Sequence, residues 1–383
     1  MKKLYWRPRG ISRSVLVLIA LLSLLGLIAV EFLETRQRQP HYGEKLQAAQ
    51  LALEAMEIIK AERLARGAEI DPEIDPAESG LIGLPMSSVT TVTGWVSAKQ
   101  TSVNPNFAAV VVEMLKGAGV KKGDVVAVGI SGSFPALNIC IYAAMRTLEL
   151  KPIIISSVSA SQFGANDPEF LWVDMERVLH ERNREKFAFR SVAASPGGVE
   201  DRGLGMSKEG RQALNAAIER NGLVFLKPND FKDSIDKRMT IFAQRAGGKA
   251  IKAYINIGGG TISVGTASGK RLFHVGLNLR KPAGTRPADS VMSRFVDQGV
   301  PVIHLTKIED LARRYGLPIQ PTMIPAPGEG RVFYREEYNP WLACGVLLGI
   351  ILSLYAFARS EVGYHILQTT ARKRNDLFRE PMV

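Results

Sequence analysis

The chain is expected to fold as an α/β protein, a mostly parallel sheet with flanking helices set between an N-terminal and a C-terminal transmembrane helix. Three observations predict this. Uncharged apolar segments, Ser14–Val30 and Trp341–Ala358, stand near the two ends. Between them, from Asn104 to Tyr315, short apolar runs alternate with stretches of helical spacing. Loops rich in Gly and Ser follow several of those runs.

At ~1.5 Å per residue, each terminal segment comes close to a ~30 Å hydrocarbon core. Lys2, Lys3, Arg7, Arg9 and Arg13 precede the first segment, and Arg359, Arg372, Lys373, Arg374 and Arg379 follow the second. Fewer basic residues, mixed with Glu31, Glu34, Glu336 and Glu337, flank their inner ends. The bias places both termini in the cytoplasm and the middle outside, at the cytoplasmic (inner) membrane. A cleaved signal peptide is the alternative for the first segment, but Glu31 and Phe32 stand where small residues would be needed. A buried core helix is the alternative for the second. The expected division is a basic tail (1–13), a membrane helix (14–33), an amphipathic helix with an acidic linker (34–80), the extracytoplasmic α/β domain (81–340), a second membrane helix (341–358) and a basic tail (359–383).

The chain carries 49 Lys+Arg and 37 Asp+Glu, a net +12, with a pI near 9.7. More than half of that excess sits in the two ends, so it reads as orientation signal and nucleic acid is not an expected partner. Two cysteines, Cys140 and Cys344, fall in segments that do not meet, which excludes a disulfide or a CxxC site. No metal site or cofactor is expected. The acidic stretch Glu69–Glu78 offers too few clustered oxygens for calcium and reads as a linker.

The elements follow in order. Gly43–Arg66 has apolar residues at helical spacing and Gly67 ends it. Such a helix can lie on its own domain, pair with a copy, or rest on a membrane. Asn104-Pro105 opens a helix to about Lys116, with Asn104 as N-cap. Val125–Ile130 is a strand covered on both faces, Phe134–Glu149 a helix, and Pro152–Ser156 the next buried strand, together a βαβ unit. Helices are predicted over Asp174–Glu185, Ser207–Arg220, Asp230–Arg245 and Thr306–Tyr315. Strands are predicted over Leu223–Leu226, Ala250–Ile257 and Val302–Leu305.

Three loops at strand ends carry the candidate site. The first is Gly129-Ile130-Ser131-Gly132-Ser133, where small residues and a helix start suit an anion. A plain tight turn fits it too, and so does a nucleophile elbow with Ser131 attacking and His304, at the end of a strand, as base. The Gly-x-Ser-x-Ser spacing departs from the Gly-x-Ser-x-Gly of such elbows. The second loop, Ser156–Asp167, offers Ser157, Ser159, Ser161, Asn166 and Asp167, and converges on the same crevice if the strands are neighbours. The start of the next helix is a compatible role for Asp167. The third, Asn256–Thr261 with Gly258, Gly259, Gly260 and Thr261, is similar to the DxGGGT phosphate turn of actin-like ATPases, with Asn256 in the acidic position. A plain hairpin is the alternative.

The stretches GDVVAVGISGSFPALN, KPIIISSVSASQFGANDPEF, WVDMER and INIGGGT together resemble the poly-gamma-glutamate system protein family over most of Lys99–Leu317. The resemblance implies a bacterial membrane protein acting in the making or export of that polyanionic capsule or secreted polymer. It also implies two partners, the synthase amide ligase and its small integral membrane subunit. It brings no catalytic constellation. The leading expectation is therefore an accessory membrane protein binding nascent polymer outside the membrane. A serine-dependent hydrolase or transferase acting through Ser131 is the alternative, and an actin-like nucleotide-binding module the second.

Overall fold

The structure is a computed structural model and describes residues 13–265, 272–281 and 288–359. The basic tails expected at either end lie largely outside these residues. The chain divides into two compact units, one built from the ends and the other from residues 39–333.

In the unit of the ends, α1 (Arg13–Phe32) packs on α12 (Pro340–Arg359), and β1 (Thr35–Arg38) pairs antiparallel with β11 (Tyr334–Glu337). Gly26 of α1 lets Val346 of α12 approach its backbone. Arg36 lies over the Tyr334 ring, 3.8 Å from its centre. Among the described residues, no helix is long and apolar enough to cross a membrane. This corrects the two transmembrane helices, the inner-membrane location with cytoplasmic termini, and the accessory membrane role. The resemblance to the poly-gamma-glutamate system family, a family of membrane proteins, falls with them.

The larger unit is an α/β layer structure. Its sheet holds β2 (Val125–Ser131), β3 (Lys151–Ser157), β6 (Ala193–Ser195), β7 (Val224–Phe225), β8 (Ile251–Ile257), β9 (Gly276–Asn278) and β10 (Val302–Leu305), in the order β7-β6-β3-β2-β8-β10-β9. All neighbours are parallel except β9, which runs antiparallel to β10 at the edge. Buried on both faces, β2 reads as an unbroken apolar run. Along it, Val125 and Ala127 belong to the core that includes Phe242, Tyr254 and Phe295. Those aromatic side chains come from α8 (Phe231–Ala246), β8 and α10 (Val291–Asp297). The Tyr254 and Phe295 rings stack at 4.7 Å, and the Phe242 ring meets Phe295 edge-on at 5.6 Å. Burying each such side chain contributes about 1.5–3 kcal/mol.

Helices α2 (Tyr42–Ala65), α4 (Phe107–Gly117), α5 (Pro135–Thr147) and α6 (Trp172–Arg182) form a second set. Within it, α2 packs on the other three, and its buried Ala48, Ala49, Ala52 and Ala55 permit the close approach. Local capping sets several boundaries. Ser207 accepts from Gly210 N at the start of α7 (Lys208–Arg220), and Asp230 accepts from Asp233 N at the start of α8. Asn104 takes a different part from that expected: α4 begins at Phe107, and Asn104 Oδ1 accepts from Asn106 N at 2.9 Å.

Chain order and strand order together locate the site. From β2 the chain runs outward through β3, β6 and β7, then returns to the other side of β2 for β8 and β10. The order reverses between β2 and β8, so a crevice opens beyond their carboxyl ends.

Candidate active site

The loops after β2, β3 and β8 line one cavity of about 560 Å³ at this switch point. It lies in the usual volume range for small-molecule sites. Of the residues singled out from sequence, Ser131, Ser133, Ser157, Ser159, Ser161, Gly258, Gly259, Gly260 and Thr261 line it. The others have structural tasks. Gly129 leaves room for the Tyr254 ring, whose hydroxyl occupies the space a side chain would need. A Cβ on Gly132 would come within 2.9 Å of the Val158 carbonyl oxygen, so this glycine lets the second loop lie on the first. Asn166 clamps Leu84 by two hydrogen bonds of 2.8 Å, and Asp167 accepts from Glu169 N in the hairpin of β4 (Asn166–Asp167) and β5 (Phe170–Leu171).

His304 is away from the cavity lining. Its Nδ1 lies 3.0 Å from Asn256 Nδ2, across the parallel pair β8–β10, and no hydrogen bond joins it to Ser131. Burial pushes its pKa down to about 4, so the ring is neutral and Nδ1 accepts from the amide. Asn256 also donates to Gly258 O at 2.8 Å, which commits the position where an actin-like turn carries a carboxylate.

The base that the cavity does contain is Lys99, on α3 (Val96–Ser102). Its side chain is 2% exposed and crosses the Phe134 ring, with Nζ 3.9 Å from the centre. Nζ donates to the Ser133 carbonyl oxygen and lies 2.9 Å from Ser161 Oγ. Among the described residues no carboxylate pairs with it, and burial pushes its pKa down to about 7. At neutral pH a large share of the side chain is thus a neutral amine within hydrogen-bond distance of a hydroxyl. The hydroxyls are linked: Ser131 Oγ donates to Ser133 Oγ at 3.1 Å, and Ser133 Oγ also accepts from Ser161 N at 3.0 Å.

Two further loops complete the walls. Residues 90–95 strap across the second loop, with Thr91 N donating to Ala160 O at 2.9 Å and Gln162 N to Val92 O at 3.0 Å. Residues 197–206 form a loop in which Glu200 and Asp201 both take positive φ, 53° and 62°. That backbone is held by Arg238 of α8, whose guanidinium pairs with Asp201 at 2.7 Å and reaches Ser195 Oγ at 2.6 Å. Ser195 and Ser234 also donate to the Asp201 carboxylate. Both members of the ion pair are buried. Among the described residues, the N–H groups of Gly259, Gly260 and Thr261, which also line the cavity, have no hydrogen-bond partner.

Sequence reasoning missed Lys99, the 90–95 strap, Asp201 and Arg238. Lys99 lies in a seven-residue helix with no apolar period, and nothing local marks it. Among the described residues, no group of three His, Cys, Asp or Glu is placed to hold a metal ion.

No known family's sequence pattern matches the chain, and no curated protein matches it. Among solved structures, an archaeal alanine:glyoxylate aminotransferase aligns at 11% sequence identity over 94% of this chain. The chain spans 64% of the length of that protein, and the TM-score of 0.15 is too low to indicate a shared fold.

Proposed function

We propose that the cavity is the active site of a serine-dependent hydrolase or acyltransferase, with Ser161 as nucleophile and Lys99 as general base. The observation that carries this is the 2.9 Å separation of Lys99 Nζ and Ser161 Oγ at the wall of the switch-point cavity. Serine–lysine pairs are one of the recurring forms of activated serine. A lysine becomes a useful base when burial brings its pKa near the working pH.

The step follows from the contacts. Neutral Lys99 Nζ accepts the Ser161 hydroxyl proton as Oγ bonds to the carbonyl carbon of an ester or amide. Unpaired N–H groups at Gly259, Gly260 and Thr261 are the donors available in the cavity for the negative charge on the carbonyl oxygen. The bond to the leaving group breaks, and that group takes the proton from Lys99. Water then adds to the acyl-serine, gives a proton to Lys99, and the acid leaves as Ser161 regains its hydrogen. An acceptor alcohol or amine in place of water gives acyl transfer. Ser131, the nucleophile expected from the elbow, bonds to Ser133, and among the described residues no base is hydrogen-bonded to it.

The test is covalent labelling of the full chain with an alkyl fluorophosphonate, followed by peptide mapping. The reading predicts one adduct on Ser161, lost in Ser161→Ala and kept in Ser131→Ala. An adduct on Ser131, or none, would refute it.

A further inference from the structure

We infer that this site takes an uncharged substrate whose apolar group rests on Val92, Trp95, Val199 and Leu204; the inference builds on the serine–lysine reading. Two independent observations carry it. The first is charge. Among the described lining residues only Lys99 and Asp201 are ionisable. Lys99 is held near neutrality by burial, and Asp201 is closed off by Arg238. Among the described lining residues no cation other than Lys99 is there to compensate a carboxylate or phosphate, and an anion entering the hydroxyl-lined cavity loses its hydration. The glycine-rich loops that suggested an anion from sequence offer backbone N–H groups, which suit the polarised carbonyl of an ester or amide.

The second observation is the rim. Trp95 is 80% exposed, Val92 61%, Val199 60% and Leu204 37%, and all four line the cavity that holds Ser161. They come from the two wall loops, 90–95 and 197–206, and not from a helix face awaiting a neighbouring domain. Large side chains exposed together beside a reactive hydroxyl mark a binding surface. An indole with its face in water gains most from an apolar chain laid across it. The contrast within the site is between a hydroxyl- and amide-lined floor, which suits the reacting ester or amide, and an apolar mouth for the attached chain.

Specificity at such a mouth scales with chain length, since each buried methylene adds roughly 0.8 kcal/mol, about a fourfold gain in affinity. The experiment uses the full chain carrying Ser161→Ala, which binds without turnover, at pH 8, where Lys99 is mostly neutral. Octanamide, acetamide and octanoate are titrated by calorimetry. The expected result is octanamide at least tenfold tighter than either acetamide or octanoate. Trp95→Ala, at an exposed position that leaves the fold intact, should weaken octanamide about tenfold and acetamide less than twofold. Equal or tighter binding of octanoate, or no dependence on chain length, would overturn the inference. The two readings fail separately. Fluorophosphonate labelling of Ser161 with no chain-length preference removes the apolar subsite alone. Chain-length preference with no labelling removes the catalytic pair alone.

Discussion

Replacing Lys99 with methionine should make the protein more stable in mild acid while abolishing acylation. Methionine keeps most of the stem that crosses Phe134 and removes the amine. The amine's pKa falls from 10.5 to about 7 on folding. The unfolded chain therefore binds more protons than the folded one between pH 7 and 10.5, and stability rises with pH across that window. Below pH 7 the full cost applies, roughly 5 kcal/mol at 1.36 kcal/mol per pKa unit. Against it stand the two hydrogen bonds that methionine gives up, to Ser133 O and Ser161 Oγ, each contributing about 1 kcal/mol and leaving a carbonyl unpaired. The variant should gain about 2 kcal/mol at pH 6, and by pH 10 it should be the less stable protein. Urea unfolding at pH 6, 8 and 10 reads the difference. A variant less stable than the parent at pH 6, or a difference that does not change with pH, would refute the reasoning.

Arg238→Ala leaves the Asp201 carboxylate buried without its partner and should cost about 3–5 kcal/mol, read from the urea midpoint. His304, held near pKa 4, should lose the fold stability as pH falls from 6.5 towards 4; His304→Gln flattens that limb and leaves Ser161 labelling unchanged, which separates it from a catalytic base. Gly129→Ala drives a methyl group into the Tyr254 ring and should destabilise by about 1–3 kcal/mol in thermal melts, with no role for ligand contact.

The parts of the fold legible in the sequence are those where both faces of an element are buried or a cap is present. β2 and β8 announce themselves as apolar runs, and α7 and α8 by Ser207 and Asp230. β6 does not, because three residues, Ala193–Ser195, carry no period and depend on hydrogen bonds to β3 and β7. The β7 run shortens to Val224–Phe225 for the same reason. The antiparallel edge β9 is equally short. At the site, the Gly- and Ser-rich loops were readable because small residues after a buried strand have few other uses. Their partners were not. Lys99 reaches Ser161 from 62 positions away, and Arg238 reaches Asp201 from 37, so only tertiary packing sets those pairs. Terminal apolarity alone overstated the case for membrane spans.

The most direct test of the serine–lysine pair is the rate of Ser161 labelling by a fluorophosphonate as a function of pH. A neutral Lys99 is the active form, so the rate should climb with pH through a midpoint near 7, and Lys99→Met should lose it at every pH. A rate independent of pH across that range, or one preserved in Lys99→Met, would contradict the account.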